Sequence, residues 1–469
     1  MRISFATQAY QSDSLPVSAQ RCVNAYVELQ PQDAKYGAAV FGCPGIETFA
    51  NVGSGPIRGL FEMGGTAYAV SRNEFYSISP GGVPTLLGTG ITGLGRVSIA
   101  GNGFEVIIVN GSLGFVYNTS TEAFIQISDG DFNVANTVTF IDSYFVLDEA
   151  GTNKFFLSDL LDGTSYDALL FASAESHHDR VVACWNNNGV LLVFGESTIE
   201  SWDHTGASAF PFQRYKGGTI DRGLAAAQAI TAEDQGIFFL GDNRIFYRLQ
   251  GSQPVRLSNH AIEKEWEGYS TITDAFCISM TFGGHTWIYI TFPTANTTFC
   301  YDIATQRWHE RESYDSQAGR TRWRANCVAE ANGRTLIGDA QSNKVGRLSG
   351  SVYTEFGTTI IKTLVSPPIH GDGKRCFMPM FELDMDAGVG LADGQGEDPQ
   401  AMLDWSDDGG RTYSAPQLWR SMGKIGEYQR RLQWDRLGSF YVRHLRLRIA
   451  DPVKRVVIAA RAPGLSVEA

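Results

Sequence analysis

Short runs of β-branched, aromatic and aliphatic residues recur along most of the chain, and glycine, asparagine or aspartate separates them. The run from Ile57 to Met63, for example, is followed by Thr66 to Val70 and then by Glu74 to Ile78. Runs of this composition bounded by turn residues are typical of β-strands. The pattern predicts an all-β protein, with one short helix from Ile262 to Trp266.

The predicted strands fall into groups that start at regular intervals, near residues 57, 96, 137, 181, 225, 276 and 326. A repeat of about 40–50 residues is typical of β-propeller blades, and propellers usually have about four to eight of them. We therefore predict a β-propeller of six to eight blades, with seven the best count. One blade can be divided between the two ends of the chain to close the ring. An array of β-sandwiches is the alternative, but each sandwich would need about 100 residues.

Both ends of the chain differ from the repeating part. Residues 1–50 are polar, lack the repeat and contain Pro31 and Pro44, which suggests an N-terminal arm or clamp. After about residue 355 the predicted strands are longer, as in the segment from Tyr441 to Ala450. The sequence thus predicts an arm over 1–50, a propeller over 51–355 and a small C-terminal β-sandwich-like domain over 356–469.

Charge and cysteine usage narrow the possible functions. The chain has 38 basic and 50 acidic residues and a net charge of -12, which disfavours a broad grip on DNA because phosphate contacts need lysine and arginine. Seven scattered cysteines without a CxxC pair favour free thiols in a reducing cytoplasm over a disulfide framework or a zinc site. We predict neither a signal peptide nor a transmembrane segment.

One C-terminal segment matches the Asp-box pattern S-x-D-x-G-x-T-[YW] of sialidases and many propellers, through Ser406, Asp408, Gly410 and Tyr413. In such a tight hairpin the aspartate accepts backbone N–H bonds and glycine takes a positive φ. We interpret the segment as a structural turn. A sialidase active site is the alternative, and it would also need an arginine cluster and a Tyr–Glu pair.

Other segments give no prediction of a catalytic, cofactor-binding or metal-binding residue. Adjacent residues on a strand point to opposite faces, so His177 and His178, which precede Asp179, cannot easily share one metal ion. The glycine-rich segment 88–95 lacks the phosphate-binding pattern GxxxxGK[ST], and GxSxG is absent from the sequence. We therefore expect a protein that is not an enzyme and has no cofactor.

Two segments combine arginine with tryptophan, and their candidate interface residues are Arg322, Trp323, Arg324, Arg430, Arg431 and Trp434. Arginine and tryptophan are enriched at protein interfaces, and they can also contact nucleic acid through charge and stacking. Three hypotheses remain open for these segments: a solvated surface, a subunit or partner interface, and a DNA contact.

Four short motifs occur in order between residues 21 and 225. They are RCVNAYVE from Arg21 with Pro44-Gly45-Ile46 after it, GRVSIA from Gly95, FGESTIE from Phe194, and RGLA from Arg222. Together they resemble the phage packaged-DNA stabilisation proteins, the P22-like tail hub family. The residues that carry the resemblance are Arg21, Asn24, Tyr26, Glu28, Pro44, Gly45, Gly195, Ser197, Thr198, Ile199 and Glu200. We expect Ile199 to be buried.

The resemblance implies a structural virion protein of a tailed phage, made in the host cytoplasm. Such a protein is a homo-hexameric tail hub that attaches below the portal and its adaptor, closes the DNA exit channel to retain packaged DNA, and forms part of the tail tube for ejection. Its partners are the adaptor, a tail needle or other tail proteins, and double-stranded DNA that passes without sequence-specific binding. It contacts no membrane. The alternatives are a glycan-binding or sialidase-like tail propeller and a soluble scaffold protein without viral context.

Overall fold

The computed structural model describes residues 1–5, 8–31, 33–175, 177, 179–207 and 209–468. Nearly all regular structure in these residues is β, which confirms the predicted all-β class. The helix α1 (His260–Glu267) includes the predicted helical segment, and Asn259 caps its start by accepting the N–H of Ile262. Within the described residues, no helix has the length and apolar character needed to cross a membrane.

The first part of the chain contributes strands to both units of the fold. These strands are β1 (Arg2–Ile3), β2 (Tyr10–Gln11), β3 (Ala19–Val23), β4 (Ala25–Leu29), β5 (Ala38–Gly42) and β6 (Gly45–Asn51). Side chains of β1, β3, β4 and β5 enter the core of the C-terminal sandwich, whereas β6 belongs to the propeller. The division of the chain into 1–50, 51–355 and 356–469 stays a prediction about its folding units.

Five propeller blades are separate four-stranded antiparallel sheets in which neighbouring strands are consecutive in sequence. Blade one contains β7 (Ile57–Met63), β8 (Thr66–Ser71), β9 (Glu74–Ile78) and β10 (Pro84–Thr89). Blade two contains β11 (Ser98–Gly101), β12 (Glu105–Val109), β13 (Gly114–Asn118) and β14 (Ala123–Gln126). Blade three contains β15 (Val138–Ile141), β16 (Tyr144–Asp148), β17 (Lys154–Asp159) and β18 (Asp162–Ser173). Blade four contains β19 (Val181–Asn187), β20 (Val190–Gly195), β21 (Ile199–His204) and β22 (Phe212–Arg214). Blade five contains β23 (Ile230–Glu233), β24 (Gly236–Leu240), β25 (Phe246–Gln250) and β26 (Gln253–Arg256).

The last two blades continue into larger sheets. Blade six contains β27 (Phe276–Phe282), β28 (His285–Phe292), β29 (Thr297–Asp302) and β30 (Arg307–Glu310). A hairpin of β31 (Glu312–Asp315) and β32 (Gly319–Arg322) follows it. Blade seven contains β33 (Ala325–Ala331), β34 (Arg334–Asp339) and β35 (Lys344–Ser349), and its fourth strand is β6.

Strand β6 closes the propeller. It precedes blade one in the sequence but is the fourth strand of blade seven, so the first and last parts of the propeller sequence meet in one sheet. It pairs antiparallel with β35 and places Ile46 opposite Leu348. Blade seven then meets blade one, where the Nδ2 of Asn326 donates to the Ile57 carbonyl at 2.8 Å. Both the predicted β-propeller and its best count of seven blades are confirmed.

The C-terminal part is a β-sandwich, which confirms the second predicted domain type. Two short strands before it, β36 (Thr354–Glu355) and β37 (Thr358–Thr359), still belong to the sheet of blade seven, where β36 pairs with β6. The strands after them are β38 (Lys362–Val365), β39 (Ile369–His370), β40 (Cys376–Phe377), β41 (Met380–Met385), β42 (Gln400–Ser406), β43 (Leu418–Ser421), β44 (Leu432–Asp435), β45 (Ser439–Phe440), β46 (Val442–Ile449), β47 (Val457–Arg461) and β48 (Ser466–Val467). One sheet has the order β4-β5-β47-β41-β44, and the other contains β38-β46-β42-β43. Phe381, Trp434 and Leu447 are buried between them.

Strand β3 joins the two units. On one side it pairs in parallel with β30 of blade six, where Val23 lies opposite Glu310. On the other side it pairs antiparallel with β38 of the sandwich, where Arg21 lies opposite Val365. The sixth blade and one sandwich layer are therefore parts of one continuous sheet of eleven strands.

Candidate functional site

The first signature motif lies at the junction between propeller and sandwich. Arg21 of β3 forms ion pairs with Glu310 and Glu312, and its contact with Glu312 is 2.6 Å long. Asn24, at a positive φ of 53°, ends β3 and donates from Nδ2 to the carbonyls of Glu312 at 2.9 Å and Ile361 at 3.0 Å. Its Oδ1 accepts the N–H of Glu312 at 3.1 Å. These two side chains hold the chain at the point where it passes from one unit to the other.

The remaining residues of this motif pack along the same junction. Tyr26 is buried and meets the rings of His285 and Trp287 edge-on, with centroid distances of 4.8 and 5.1 Å. Glu28 is partly buried and accepts from Gln30. The Pro44 carbonyl accepts from Arg311 at 3.3 Å.

Gly45 starts the strand that closes blade seven. A side chain at this position would overlap the Val352 and Thr354 carbonyls, so the signature requires glycine for the close approach of two backbones.

Three cations are buried together beside these residues. The ammonium group of Lys362 donates to the carbonyls of Val40 at 2.9 Å and Arg455 at 3.0 Å. Arg455 donates to the Ile360 carbonyl at 2.5 Å, and Arg311 lies 3.4 Å from a carboxylate oxygen of Glu355. Burial, and then the charge of Arg455, lowers the pKa of Lys362 to about 7. The junction therefore depends on buried cations that bind backbone carbonyls.

The second signature motif forms a turn in blade four around the carboxylate of Asp179. Its Oδ2 accepts the N–H of Ser197 at 2.7 Å, the Ser197 hydroxyl at 2.8 Å and the N–H of Thr198 at 3.0 Å. Gly195 leaves room for this carboxylate, since a Cβ there would lie 2.5 Å from Oδ2. The residue types of the motif thus follow from one buried hydrogen-bonded turn.

The two residues that follow this turn are buried in blade four. Ile199 has no exposed surface, which confirms its predicted burial. Glu200 accepts from the indole Nε1 of Trp202 at 3.0 Å and lies 3.3 Å from a guanidinium nitrogen of Arg214.

The Asp-box residues form a hydrogen-bonded turn in the sandwich rather than in a blade. Asp408 accepts from the Ser406 hydroxyl at 2.6 Å, from the Thr412 hydroxyl at 2.6 Å and from the Arg411 N–H at 3.0 Å. These bonds, that of Ser406 first, hold the pKa of Asp408 below its usual range. The N–H of Gly410 donates to Ser406 at 2.7 Å.

The turn also has contacts outside the motif. Arg446 lies over the ring of Tyr413, at 3.5 Å from its centroid. The backbone at Gly409 and Gly410 comes close to Pro16 and Ala19, so the N-terminal segment packs on the turn. All of these contacts are structural.

The structure corrects part of the predicted basic–aromatic interface. Trp323 and Trp434 are fully buried, and their indole N–H groups donate to Glu355 at 2.9 Å and to the Leu418 carbonyl at 3.0 Å. Arg324 is also buried, in an ion pair with Asp339. These three side chains stabilise the interior and offer no surface to a partner.

The other three candidate residues lie in two different places. Arg430 and Arg431 are exposed on the sandwich, where Arg430 lies 3.9 Å from Glu427. Arg322 is partly buried and lines the propeller channel. The interface prediction therefore remains for Arg322, Arg430 and Arg431.

The histidine segment shows no metal-binding arrangement in the part of the chain that is described. His178 lies outside the described residues, and the carboxylate of Asp179 accepts hydrogen bonds within the turn of blade four. No group of three or more histidine, cysteine, aspartate or glutamate side chains within the described ranges could hold a metal ion.

The propeller channel contains a second group of polar residues. The first strands of all seven blades surround a cavity of about 290 Å³, and a cavity of about 420 Å³ lies at one mouth. Arg96 and Gln228 line both cavities and are hydrogen-bonded to each other. They lie two residues before the first strands of blades two and five, so their bond spans the channel.

Sequence reasoning missed two sets of residues. One set is the cations at the junction, of which Lys362 stands alone in the apolar run Ile360 to Val365. The other set is the channel arginines, although Arg96 lies in the GRVSIA motif. A single basic residue within a strand that is predicted to be buried could have indicated both sets, because a buried cation requires specific hydrogen-bond or charge partners.

Family models match both units of the chain. The model described as "Bacteriophage P22 Gp10, beta-propeller" matches residues 7–353, and "Bacteriophage P22 Gp10, beta-sandwich" matches residues 362–464. The tail hub protein gp10 of Salmonella phage P22 is 23% identical over 403 residues, which covers 77% of this chain and 82% of gp10.

Two solved structures share less identity with the chain. The β-propeller domain of Cps50 (Swd1) from Myceliophteria thermophila has a TM-score of 0.42 and 7% identity, with 65% of this chain and 99% of that chain covered. The extracellular domain of BT4673 from B. thetaiotaomicron has a TM-score of 0.44 and 10% identity, with coverages of 75% and 45%.

Replacement of Asp179 tests the turn in blade four. We expect Asp179→Ala to reduce the free energy of unfolding by about 1–3 kcal/mol, because the N–H groups of Ser197 and Thr198 lose their acceptor and that of Thr198 is buried. Chemical denaturation monitored by tryptophan fluorescence measures the change. Asp203→Ala, at an exposed position of the same blade, is the control. Equal midpoints for the two variants would show that the carboxylate does not hold the turn.

The pKa of Lys362 predicts a pH dependence of stability. The folded pKa is about 7 and the ordinary value is 10.5, so between these values the unfolded chain binds the extra proton and the free energy of unfolding rises with pH. The contribution is at most about 1.4 kcal/mol per pH unit. We expect Lys362→Met to remove this rise, so that the free energy of unfolding of the variant, relative to that of the wild type, decreases from pH 7 to pH 8.5.

Thermal unfolding of both proteins across this range checks the prediction. Lys35→Met, which changes an exposed lysine, is the matched control and should follow the wild type. A difference between wild type and Lys362→Met that is independent of pH would mean that Lys362 remains protonated in the folded protein.

Proposed function

The chain belongs to the bacteriophage P22 Gp10 family and is a structural protein of a phage tail, and we propose that it is the hub that closes the DNA exit channel of the filled head. In this proposal six copies form a ring below the portal and its adaptor. The ring retains packaged DNA, receives a tail needle or other tail proteins, and becomes part of the tube during ejection. The observation that carries the proposal is the match to the P22 tail hub across both units of the chain.

The junction between propeller and sandwich supports a role in which the protein transmits mechanical force. A protein that retains DNA under pressure must transmit force between its contacts without internal hinge motion. The shared sheet through β3 and the ion pairs of Arg21 provide backbone and side-chain connections between the propeller and the sandwich. Separate domains joined by a flexible linker would lack this rigidity.

Exposed apolar side chains on both units support ring formation, and we call those on blade three and those on the sandwich the two apolar clusters. On the outer strand of blade three, Leu169 is 76% exposed and Phe171 is 40% exposed. On the sandwich, Trp419 is 55% exposed and Tyr428 is 74% exposed. A ring of identical subunits needs two different contact surfaces on each copy. Large exposed apolar side chains in groups are a common feature of such surfaces.

The charge of the chain supports passage of DNA without retention by the wall. With a net charge of -12, a ring of this protein repels the phosphate backbone overall. A wall that bound DNA through many lysines and arginines would slow ejection. We therefore propose that DNA slides through the ring without sequence-specific contacts.

We propose no catalytic role. The Asp-box side chains are used within their own turn, as expected of a structural motif. The glycan-binding or hydrolytic alternative makes a different prediction for phage particles, because it affects adsorption to the host rather than retention of DNA.

Deletion of the gene from its phage tests the closing role. We expect heads that package DNA and then lose it, so that electron microscopy of the lysate shows empty heads without tails. Supply of the wild-type gene from a plasmid should restore full heads. Full heads with normal tails that fail to adsorb would overturn the proposal and favour glycan recognition.

Replacement of Trp419 tests the sandwich cluster as a contact surface. In complementation of the deletion phage, we expect Trp419→Ala to reduce the number of full heads, because truncation of a tryptophan at an interface centre can cost about 2 kcal/mol or more of binding free energy. The purified variant should unfold within about 0.5 kcal/mol of the wild type, as most surface substitutions do. Tyr215→Ala, at a 59% exposed aromatic residue of the propeller, is the control. Equal complementation by both variants would exclude Trp419 from the contact.

A further inference from the structure

The mouth of the propeller channel concentrates positive charge in an otherwise acidic chain. Its cavity of about 420 Å³ is lined by four charged residues, namely Arg58, Arg96, Arg322 and Asp274. Three positive charges and one negative charge therefore face a space large enough for a small ligand. The net charge of the whole chain is -12, so the local excess is not a consequence of composition.

Arg96 is held across the channel. Its Nε donates to Oε1 of Gln228 on the opposite wall, and its guanidinium lies over the ring of Phe276 at 4.2 Å from the centroid. Its Nη1 is buried and has no hydrogen-bond partner. Burial lowers the pKa of Arg96 to about 10, and the group stays charged at neutral pH. This arginine is fixed in position and has unused donors.

Arg322 approaches the same aromatic ring. Its guanidinium lies 5.7 Å from the centroid of Phe276, and its one hydrogen bond goes from Nη1 to the Trp323 carbonyl at 3.1 Å. Arg58 differs from it, because four of its five guanidinium N–H groups donate to backbone carbonyls. Thus Arg96 and Arg322 have the larger free hydrogen-bonding capacity at the mouth.

The carboxylates of Asp339 and Asp274 act electrostatically on Arg322, but from a greater distance than in an ion pair. Among the described residues, no carboxylate forms an ion pair with Arg58, Arg96 or Arg322. The carboxylate of Asp274 lines the cavity, where its Oδ2 accepts the N–H of Thr294 at 2.7 Å and its Oδ1 is buried without a partner. Partly buried cations without counter-charges are costly, and a bound anion would remove this cost.

We propose that the channel mouth binds a compact oxyanion, a phosphate or a carboxylate, between Arg96 and Arg322. The planar guanidinium group donates two parallel hydrogen bonds to such a group, which makes arginine the usual residue for this recognition. Asp274 reduces the charge of the lining to two net positive charges, which suits a singly or doubly charged ligand better than a polyanion such as DNA.

The oxyanion can come from two sources. One is free phosphate, and the other is a carboxylate of a neighbouring polypeptide that enters the mouth. Both use the same chemistry, but acetate imitates only the second. This anion site goes beyond the proposed closing role. If the chain bound no anion, the result expected for deletion of the gene would be the same.

Isothermal titration of the full chain with sodium phosphate and with sodium acetate, at constant ionic strength, tests the proposal. We expect saturable binding of at least one of them, with one site per chain. Arg96→Gln and Arg322→Gln should each weaken it by about tenfold or more, since each removes a charged hydrogen-bond donor. Arg430→Gln, at an exposed arginine of the sandwich, should bind like the wild type.

Each result has a defined meaning. Saturable binding of phosphate without acetate identifies free phosphate as the source, and binding of acetate identifies a polypeptide carboxylate. Failure of both anions to saturate overturns the proposal, as does unchanged binding by Arg322→Gln. That variant keeps the test valid if Arg96→Gln does not fold, because Arg322 donates only to the carbonyl of its sequence neighbour.

Discussion

The simultaneous pairing of β3 with β30 and β38 is the interaction on which the rest of the structure depends. Without β3, blade six and the sandwich layer would each end in an exposed strand, and exposed edges invite pairing with other chains. One short strand pairs along β38 and with the last residue of β30, and the N–H of Ala9 donates to the Trp308 carbonyl farther along that edge. Strand β3 also fixes the angle between the two units, because backbone hydrogen bonds on its two sides define a single sheet.

The side chains around β3 make this pairing specific. Buried cations such as Lys362 and Arg455 contribute less stability than apolar residues of similar size would, because they lose their hydration. They do, however, require particular carbonyls at particular places, as the bonds from Lys362 to Val40 and Arg455 demonstrate. Asn24 likewise requires two particular carbonyls, those of Glu312 and Ile361, to which its side-chain amide donates. The junction thus has a defined geometry at some cost in stability.

Local features of the fold could be predicted from the sequence, whereas its long-range connections could not. Six blades are meanders of four consecutive strands and the seventh contains three, so turn residues and strand periodicity were enough to predict seven blades. The partners of β3 and β6 lie roughly 290 residues or more along the chain, where no periodicity indicates a partner. Trp323 and Trp434 looked like surface residues because arginines flank them, but each tryptophan points inward and finds an acceptor for its N–H.

Among the site residues, too, local interactions could be predicted from the sequence and long-range ones could not. The turn around Asp408 was predictable because all of its hydrogen bonds lie within seven residues, from Ser406 to Thr412. The turn around Asp179 was not, since the aspartate and the signature residues Ser197 and Thr198 are separate in sequence. The bond between Arg96 and Gln228 was still less accessible, because it joins blades on opposite sides of the channel. The motifs therefore indicated which positions matter. Why these residue types occur there became clear only when the structure showed their hydrogen-bond partners.

The rigid junction also constrains the proposed ring. A closed ring of identical copies requires a fixed angle between the two contact surfaces, because any deviation accumulates from one copy to the next. The apolar clusters around Leu169 and Trp419 lie on different units, so their relative orientation depends on the sheet through β3. If these clusters form the ring contacts, the strand that joins the units also determines how many copies close the ring. The signature residues at this junction, Arg21 and Asn24, would then serve assembly as much as folding.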